Sequence, residues 1–281
     1  MRIVFNGQLC EEEEARVSVF DRSFCYGDGL FETFRIHNGR AFRLTDHLDR
    51  LRVSADALGF VIPFTADNIE DHIDALVSEC EMPEAMARIN LSRGIGRRGY
   101  SPRGVNTPSY VMALHSAPDI NAGRPIAWRM KTSSYRLNPS DPLLSHKTAS
   151  RLTNVLAKAE AEENGYDDAF FINLEGNVAE ATCANVFWFE GNVVCTPPLS
   201  SGGLPGITRQ AIFEICRDRG LNTEEKDLPL ERLHVIDGAF LTLSSLGVIE
   251  ISRVDQTILP IHETTRALHR AWWEKMIKET S

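Results

Sequence analysis

Three short segments in the second half of the chain carry side chains that could do chemistry together. Residues 145–148 (S-H-K-T) place Lys147 among small polar neighbours, and a deprotonated amine can attack a carbonyl. Residues 176–187 (G-N-V-A-E-A-T-C-A-N-V-F) place Glu180 among small residues before a predicted strand, where a buried acid would need a partner. Residues 202–209 (G-G-L-P-G-I-T-R) form a glycine-rich turn into a helix, whose N-terminal N–H groups attract anions. Taken singly, the three have plain alternatives: a surface lysine, a solvated acid and a tight turn.

Together, the three segments meet the needs of one cofactor, pyridoxal phosphate. This cofactor requires an amine that forms an imine, an acid that keeps the pyridinium nitrogen protonated, and an anion site for the phosphate. Desolvation would lower the pKa of Lys147 towards the working pH, and the protonated ring would draw electrons from the substrate Cα. The sequence therefore predicts pyridoxal phosphate, with Lys147 as its attachment point and as the proton carrier.

The order of these motifs resembles the class IV aminotransferases, which are the fold-type IV pyridoxal-phosphate enzymes. The N-terminal half adds residues 20–22 (F-D-R), 26–33 (Y-G-D-G-L-F-E-T) and 47–51 (H-L-D-R-L) to the resemblance. The similarity runs from about residue 3 to residue 255. The family includes branched-chain aminotransferases, D-amino-acid aminotransferases and aminodeoxychorismate lyases.

The resemblance implies a role for each matching residue. Lys147 corresponds to the lysine that forms the Schiff base, and Glu180 to the acid at the pyridine nitrogen. Arg50 would bind the phosphate, although without its motif it would be interpreted as a helix-surface charge. The residues implied at the phosphate are Arg50, Ile207, Thr208 and Ser244. The residues implied around the substrate, for which a structural or solvated role is equally open, are Tyr26, Phe31, Arg88 and Arg98.

The choice of reaction within the family is divided between two patterns. Residues 92–101 (S-R-G-I-G-R-R-G-Y-S) resemble a stretch of the lyases, and Leu152 stands where branched-chain enzymes typically carry a tyrosine. Residues 205–209 (P-G-I-T-R) have the form usual in aminotransferases, and Arg88 is placed as in branched-chain enzymes. We therefore expect an aminotransferase that acts on an amino acid and a 2-oxo acid, of branched-chain or D-amino-acid type. The alternative is a 4-amino-4-deoxychorismate lyase that releases pyruvate and 4-aminobenzoate.

A third hypothesis is a regulatory protein that binds the cofactor without turnover. Intact Lys147, Glu180 and Arg50 argue against it, because a protein without turnover would not need all three. The resemblance also implies a homodimer.

Composition and charge exclude several classes of protein. The chain is 43% hydrophobic and 25% charged, as in ordinary globular proteins. A net charge of -9 would repel the phosphates of a nucleic acid. No window approaches the ~18 apolar residues of a membrane-spanning helix, and the N-terminus lacks the apolar run of a secretory signal. Six cysteines without a C-x-x-C pair and eight scattered histidines predict free thiols and no metal site. We therefore expect a cytoplasmic protein that binds small molecules.

The pattern of apolar residues predicts an α/β chain of two domains. A smaller N-terminal α+β domain would cover 1–118, a turn-rich linker 119–125, and a larger C-terminal domain 126–281, with the cofactor in the cleft. Strands are predicted over 16–20, 30–36, 41–44, 87–92, 109–114, 168–172, 185–189, 193–196, 239–243 and 248–254. Helices are predicted after an N-cap at Thr45 and over 67–80, 149–164, 208–219 and 262–277.

Overall fold

The computed structural model describes residues 1–281, which form two compact units. Unit 1 consists of Met1–Pro118, His146–Arg151 and Met276–Ser281, and unit 2 of Asp119–Ser145 and Leu152–Lys275. Two segments that the sequence-based boundaries placed in the C-terminal domain, 146–151 and 276–281, thus belong to unit 1. The first of them contains Lys147.

Unit 1 is built on one antiparallel sheet. Its strands are β1 (Arg2–Phe5), β2 (Gln8–Glu11), β3 (Gly29–His37), β4 (Arg40–Ala41), β5 (Ala85–Ser92) and β6 (Ser109–Ser116), in the order β2-β1-β6-β5-β3-β4. Its helices are α1 (Arg22–Tyr26), α2 (Leu44–Leu58) and α3 (Ala66–Cys80). The apolar faces of α2 and α3 pack with the sheet because leucines and isoleucines recur at helical spacing, as Leu48 and Leu51 do in α2. Burying each such side chain contributes about 1.5–3 kcal/mol.

Unit 2 is built on a mixed sheet of nine strands. The strands are β7 (Ala127–Leu137), β8 (Asp168–Asn173), β9 (Val178–Ala181), β10 (Asn185–Glu190), β11 (Val193–Thr196), β12 (Asn222–Glu225), β13 (Ala239–Leu243), β14 (Gly247–Val254) and β15 (Thr257–Ile258). The order is β12-β11-β10-β13-β14-β7-β8-β9, and β15 pairs with β14. The helices are α4 (Leu152–Glu163), α5 (Ile207–Asp218) and α6 (Glu263–Glu279), the last of which ends in unit 1. None of the helices has the length and apolar character needed to span a bilayer.

Most of the predicted elements are present with ends that differ by a few residues, but the strand over 16–20 is wrong. Ser18 forms a turn there instead. Its hydroxyl accepts the N–H of Phe20 at 3.1 Å, and its carbonyl accepts the N–H of Asp21 at 2.9 Å. Because these bonds close the backbone locally, the alternating side chains stay outside the sheet. Phe20 is 68% exposed.

The prediction of a strand over 41–44 followed by an N-cap at Thr45 is also wrong. The strand β4 ends at Ala41, and Leu44 is already the first residue of α2. Arg43 is the N-cap, in a left-handed conformation with φ of 57° and without a side-chain cap bond. Thr45 therefore lies in the first turn of the helix.

The helix predicted from residue 149 begins three residues later, at Leu152, because the backbone before it pairs with β3. The sequence pattern also misses several elements. The long strand β7 carries the polar run 131–134 in place of an apolar alternation, and β12 is exposed along its whole length. The other elements without a prediction are β2, β9, β15 and α1.

Candidate active site

Lys147 is held in place by backbone pairing with the first residues of β3. Its carbonyl accepts the N–H of Phe31 at 3.0 Å, and the N–H of Ala149 donates to the carbonyl of Gly29 at 2.8 Å. These two bonds flank an antiparallel bridge between Leu30 and the residue after the lysine. The segment 146–151 thus behaves as a short extra strand of unit 1, and the lysine backbone is fixed.

The Lys147 amine lies over an aromatic ring. Its Nζ is 4.6 Å from the ring centroid of Phe31, and the Arg88 Cζ is 4.0 Å from the same centroid. A third cation, Arg151, has its Cζ at 5.9 Å. Cations are attracted to the negative face of an aromatic ring, so Phe31 holds mutually repelling positive groups close together. Burial lowers the pKa of Arg88, which also donates from Nε to Asn90 at 3.0 Å.

Arg50 belongs to a buried cluster of three ionisable residues. Its Nε and one NH2 group donate to the two carboxylate oxygens of Glu32 at 2.8 and 2.7 Å, and His47 Nδ1 lies 2.7 Å from the same carboxylate. Burial alone would raise the pKa of Glu32, but the Arg50 charge and the hydrogen bonds from His47 and Arg50 lower it to about 2. Because an ionised carboxylate can only accept, His47 Nδ1 is the donor, and burial lowers the pKa of His47. The bidentate pair fixes the plane of the Arg50 guanidinium.

Glu180 lies on β9 of unit 2 and is 8% exposed. Its Oε2 accepts the N–H of Leu204 at 2.8 Å, while the carbonyl of Leu204 accepts from Asn185 Nδ2 at 2.8 Å. Leu204 therefore anchors the glycine-rich turn through both of its backbone groups. Its N–H donates to an acid on β9, and its carbonyl accepts from an amide on β10. The acid stands on a strand, and not before one as the run of small residues had suggested.

The glycine-rich turn ends at the N-terminus of α5, where Gly206 is the N-cap and supplies no side-chain hydrogen bond. A Cβ at Gly206 would lie 1.9 Å from the Asn185 Oδ1, so any larger residue would force Asn185 or the start of the helix to move. The first residues of the helix, Ile207 and Thr208, are buried. Their N–H groups belong to the first turn of a helix, which has no intrahelical acceptors and attracts anions.

Two hydroxyl groups lie near this end of the unit 2 sheet. Ser244 is half-buried in the turn between β13 and β14. Thr242 is 2% exposed, and its hydroxyl has no hydrogen-bond partner in the structure. Thr242 is the register partner of Asn185, and paired residues of antiparallel strands point to the same face of the sheet. An unpaired buried hydroxyl beside the glycine-rich turn fits a site that binds a polar group.

The predicted substrate residues Tyr26 and Arg98 meet at a loop of unit 1. The hydroxyl of Tyr26 accepts the N–H of Gly99 at 3.1 Å, and its ring centroid is 5.6 Å from that of Tyr100. Arg98 is exposed on this loop.

The structure thus divides the predicted residues between the units. Those of unit 1 are Tyr26, Phe31, Arg50, Arg88, Arg98 and Lys147, and those of unit 2 are Glu180, Ile207, Thr208 and Ser244.

Sequence reasoning assigned no role to Glu32 or His47. A signal for Glu32 was present, because residues 30, 32, 34 and 36 share one face of β3 and the other three are apolar and buried. An acid in the buried phase of a strand requires a partner. His47 carries a similar signal, because it lies three residues after Leu44 and four before Leu51 and so shares the buried face of α2.

Comparison with known proteins places this architecture in a family. An aminodeoxychorismate lyase of Bacillus subtilis is 31% identical over 90% of this chain and 87% of its own length. A D-alanine aminotransferase of Bacillus licheniformis is 30% identical over 92% of this chain and 90% of its own. The branched-chain aminotransferase of the archaeon Thermoproteus uzoniensis, solved with norvaline, superposes with a TM-score of 0.92 at 28% identity. That alignment covers 99% of this chain and 95% of the other, and it identifies the fold as that of the fold-type IV aminotransferases.

The model of the amino-transferase class IV family matches residues 29–254, which include Phe31, Arg50, Lys147, Glu180 and Thr208. The matched range is most of the chain, and the relatives above are enzymes that it aligns with nearly end to end. This chain therefore belongs to the class IV aminotransferases and is an enzyme of that family.

Proposed function

We propose that this enzyme is a pyridoxal-phosphate-dependent aminotransferase that acts on an amino acid and a 2-oxo acid. The observation that carries the proposal is the placement of Lys147. The residues on both sides of segment 146–151 belong to unit 2, whereas the segment itself pairs with β3 of unit 1. This pairing fixes an amine over the Phe31 ring. A lysine that served only as a surface charge would not need this arrangement.

The residues of both units fit the proposed cofactor. In unit 2, the uncapped start of α5 and the unpaired Thr242 hydroxyl are donors suited to a phosphate, and Glu180 is a buried acid suited to a pyridine nitrogen. In unit 1, Lys147 supplies an amine, and Arg50 supplies a cation whose guanidinium plane is fixed by its bidentate pair with Glu32. When bound, pyridoxal phosphate supplies an electron sink for charge that develops at the substrate Cα.

Each residue then has a defined task. Lys147 would hold the aldehyde carbon of the cofactor and would move the proton at the substrate Cα once the substrate displaces it. Glu180 would keep the pyridine nitrogen protonated. Phosphate binding would use the guanidinium of Arg50, the N–H groups of Ile207 and Thr208, and the hydroxyl of Ser244. The residues proposed to bind and orient the substrate are Tyr26, Phe31, Arg88 and Arg98.

The second candidate, 4-amino-4-deoxychorismate lyase, is favoured by the loop over residues 92–101 and by Leu152, five residues after Lys147. Identity does not separate the two, since the lyase and the D-alanine aminotransferase are 31% and 30% identical to this chain. Both reactions begin with removal of the Cα proton by the same lysine. They differ afterwards, because a lyase would expel pyruvate and leave 4-aminobenzoate, whereas an aminotransferase would release a 2-oxo acid.

A half-reaction screen tests the proposed function. The purified enzyme, loaded with pyridoxal phosphate, is mixed separately with L-amino acids, D-amino acids and aminodeoxychorismate. An aminotransferase loses its visible absorption with an amino acid and regains it with a 2-oxo acid. Release of 4-aminobenzoate without any need for a 2-oxo acid would overturn the proposal in favour of the lyase. The proposal requires the amine of Lys147, so the screen is repeated with Lys147→Ala. Lys278→Ala, at an exposed lysine, is its matched control.

The homodimer implied by the resemblance and the cytoplasmic location expected from the sequence are part of this proposal. Sedimentation equilibrium of the loaded enzyme tests the first, with twice the chain mass of 31.5 kDa as the expected result. Fractionation of cells tests the second.

A further inference from the structure

Arg22 is a buried arginine that stands outside the predicted site. It is the first residue of α1 and is 4% exposed. Its position is fixed from both sides. Asp21 is the N-cap of α1 and accepts the N–H groups of Ser23 and Phe24, while the Arg22 N–H donates to the carbonyl of Gly94 at 2.9 Å. An arginine is almost never buried unless its donors are used, so this side chain requires an explanation.

The guanidinium of Arg22 binds three consecutive backbone carbonyls. NH2 donates to Tyr100 at 3.0 Å, and NH1 donates to Gly99 at 3.0 Å and to Ser101 at 3.3 Å. Nε donates to Asp28 at 2.7 Å, which supplies the compensating charge and whose pKa is lowered despite burial by its bonds to two arginines. All three nitrogens of the guanidinium therefore donate hydrogen bonds, and two of them donate to one loop.

The loop has few other anchors. Residues 97–104 are exposed. Apart from Arg22, the loop is held at this point by Tyr26, whose hydroxyl accepts from Gly99 and whose ring contacts that of Tyr100. Close packing against the Arg22 stem also requires glycine at residue 96, where a Cβ would lie 2.9 Å from Arg22 Cδ. The path of the loop therefore depends on two side chains, of which Arg22 makes three hydrogen bonds and Tyr26 one.

We propose that Arg22 is a positioning residue that sets the conformation of the 97–101 loop and thereby the binding of substrate by this loop. The inference rests on the proposed function, because it takes Arg98 on this loop as a ligand of the substrate carboxylate. Arg22 itself does not touch substrate. It fixes the backbone on both sides of residue 100. The binding of substrate to Arg98 therefore does not carry the entropic cost of ordering the loop.

Lysine cannot replace Arg22 in this role. An ammonium is a point charge that can keep the pair with Asp28, but it lacks the planar fork that reaches three carbonyls at once. Arg93 offers a matched control. It also donates to Asp28, at 2.9 Å, but its remaining donors go to the carbonyls of Leu58 and Gly59 at the end of α2. Replacing Arg93 removes comparable bonds but leaves the bonds to the carbonyls of residues 99–101 in place.

The first experiment compares Arg22→Lys and Arg93→Lys in the loaded enzyme. For Arg22→Lys we expect KM for the amino acid to rise about tenfold while kcat changes by less than about threefold, because the loop is ordered at the expense of binding energy. The absorption of the bound cofactor stays unchanged. For Arg93→Lys we expect KM within about twofold of the wild type. Equal effects of the two substitutions on KM would overturn the proposal.

The second experiment does not depend on the proposed function. Limited digestion with trypsin, read by mass spectrometry, measures how often the loop opens at Arg97, Arg98 and Arg103. We expect Arg22→Lys to be cut there at least about tenfold faster than the wild type and Arg93→Lys to be cut at the wild-type rate. Unchanged cutting of Arg22→Lys refutes the positioning role even if the enzyme is an aminotransferase.

Arg22→Gln is tested in parallel with these variants. If neither Arg22 variant folds while Arg93→Lys does, Arg22 serves the fold itself and the proposal fails. Loss of cofactor binding in the wild type would instead refute the proposed function and leave the digestion result intact.

Discussion

Replacing Glu32 by glutamine should destabilise unit 1 more than any single exposed ion pair could. The Glu32 side chain is 0% exposed and accepts from Arg50 at 2.8 and 2.7 Å and from His47 at 2.7 Å. Its pKa of about 2, against an ordinary 4.5, corresponds to about 3 kcal/mol of stability at neutral pH. Breaking a buried ion pair by removing one partner costs about 3–5 kcal/mol, which agrees with this figure because both describe the pairing with Arg50.

The expected loss has a defined pH dependence. A carboxyl group whose pKa is lowered by folding contributes fully above its unfolded pKa of 4.5, and its contribution is lost as the pH falls towards 2. The free energy of unfolding of the wild type should therefore exceed that of Glu32→Gln by a constant amount above pH 5. The difference should shrink by about 1 kcal/mol between pH 5 and pH 3.5.

Urea unfolding followed by circular dichroism measures both quantities. The matched control is Asp49→Asn on α2, the helix that carries the Glu32 partners His47 and Arg50. Asp49 pairs with Arg52 at the surface, and both side chains are more than half exposed. Such pairs contribute about 0–1 kcal/mol. A loss below about 1 kcal/mol in Glu32→Gln, or a difference that does not change with pH, would refute the reasoning about the buried cluster.

Two further predictions concern unit 2 and the thiols. Gly206→Ala should weaken binding of pyridoxal phosphate at least about tenfold, since the new Cβ would lie 1.9 Å from the Asn185 Oδ1 and displace the start of α5. Titration followed by fluorescence measures this affinity. An unchanged affinity would contradict the assignment of this helix end to phosphate binding. Burial raises the pKa of Cys216 to about 11, whereas Cys25 is exposed. At pH 8 we therefore expect a thiol reagent to label Cys25 within minutes and Cys216 only in urea, as read by mass spectrometry. Labelling of Cys216 as fast as Cys25 would contradict this expectation and show that the core around α5 opens.

The sequence predicted the family from the order of its motifs, and the fold and most elements followed. What it could not predict are contacts between residues far apart in the chain. The segment around Lys147 leaves unit 2 and pairs with β3, although more than a hundred residues separate the two. A helix pattern that continued to residue 149 gave no sign of this, because local spacing does not report which backbone groups are already bonded elsewhere.

The same limit explains the roles that sequence reasoning did not assign. Arg22 stands in the recognised F-D-R motif, yet its targets are backbone carbonyls, which every residue has and no sequence pattern marks. The role of Glu32 was easier to predict than that of Arg22, since an acid in the buried phase of β3 predicts a buried partner. The strand β7 was missed because tertiary pairing with β8 and β14 overrides the polar residues in its middle.

Chemical trapping of the cofactor tests the central claim most directly. The enzyme is incubated with pyridoxal phosphate, reduced with borohydride, digested and mapped by mass spectrometry. The account predicts one phosphopyridoxyl group, on the peptide that contains Lys147, and its loss together with the visible absorption in Lys147→Ala but not in Lys278→Ala. A label spread over surface lysines, or retained in Lys147→Ala, would contradict it.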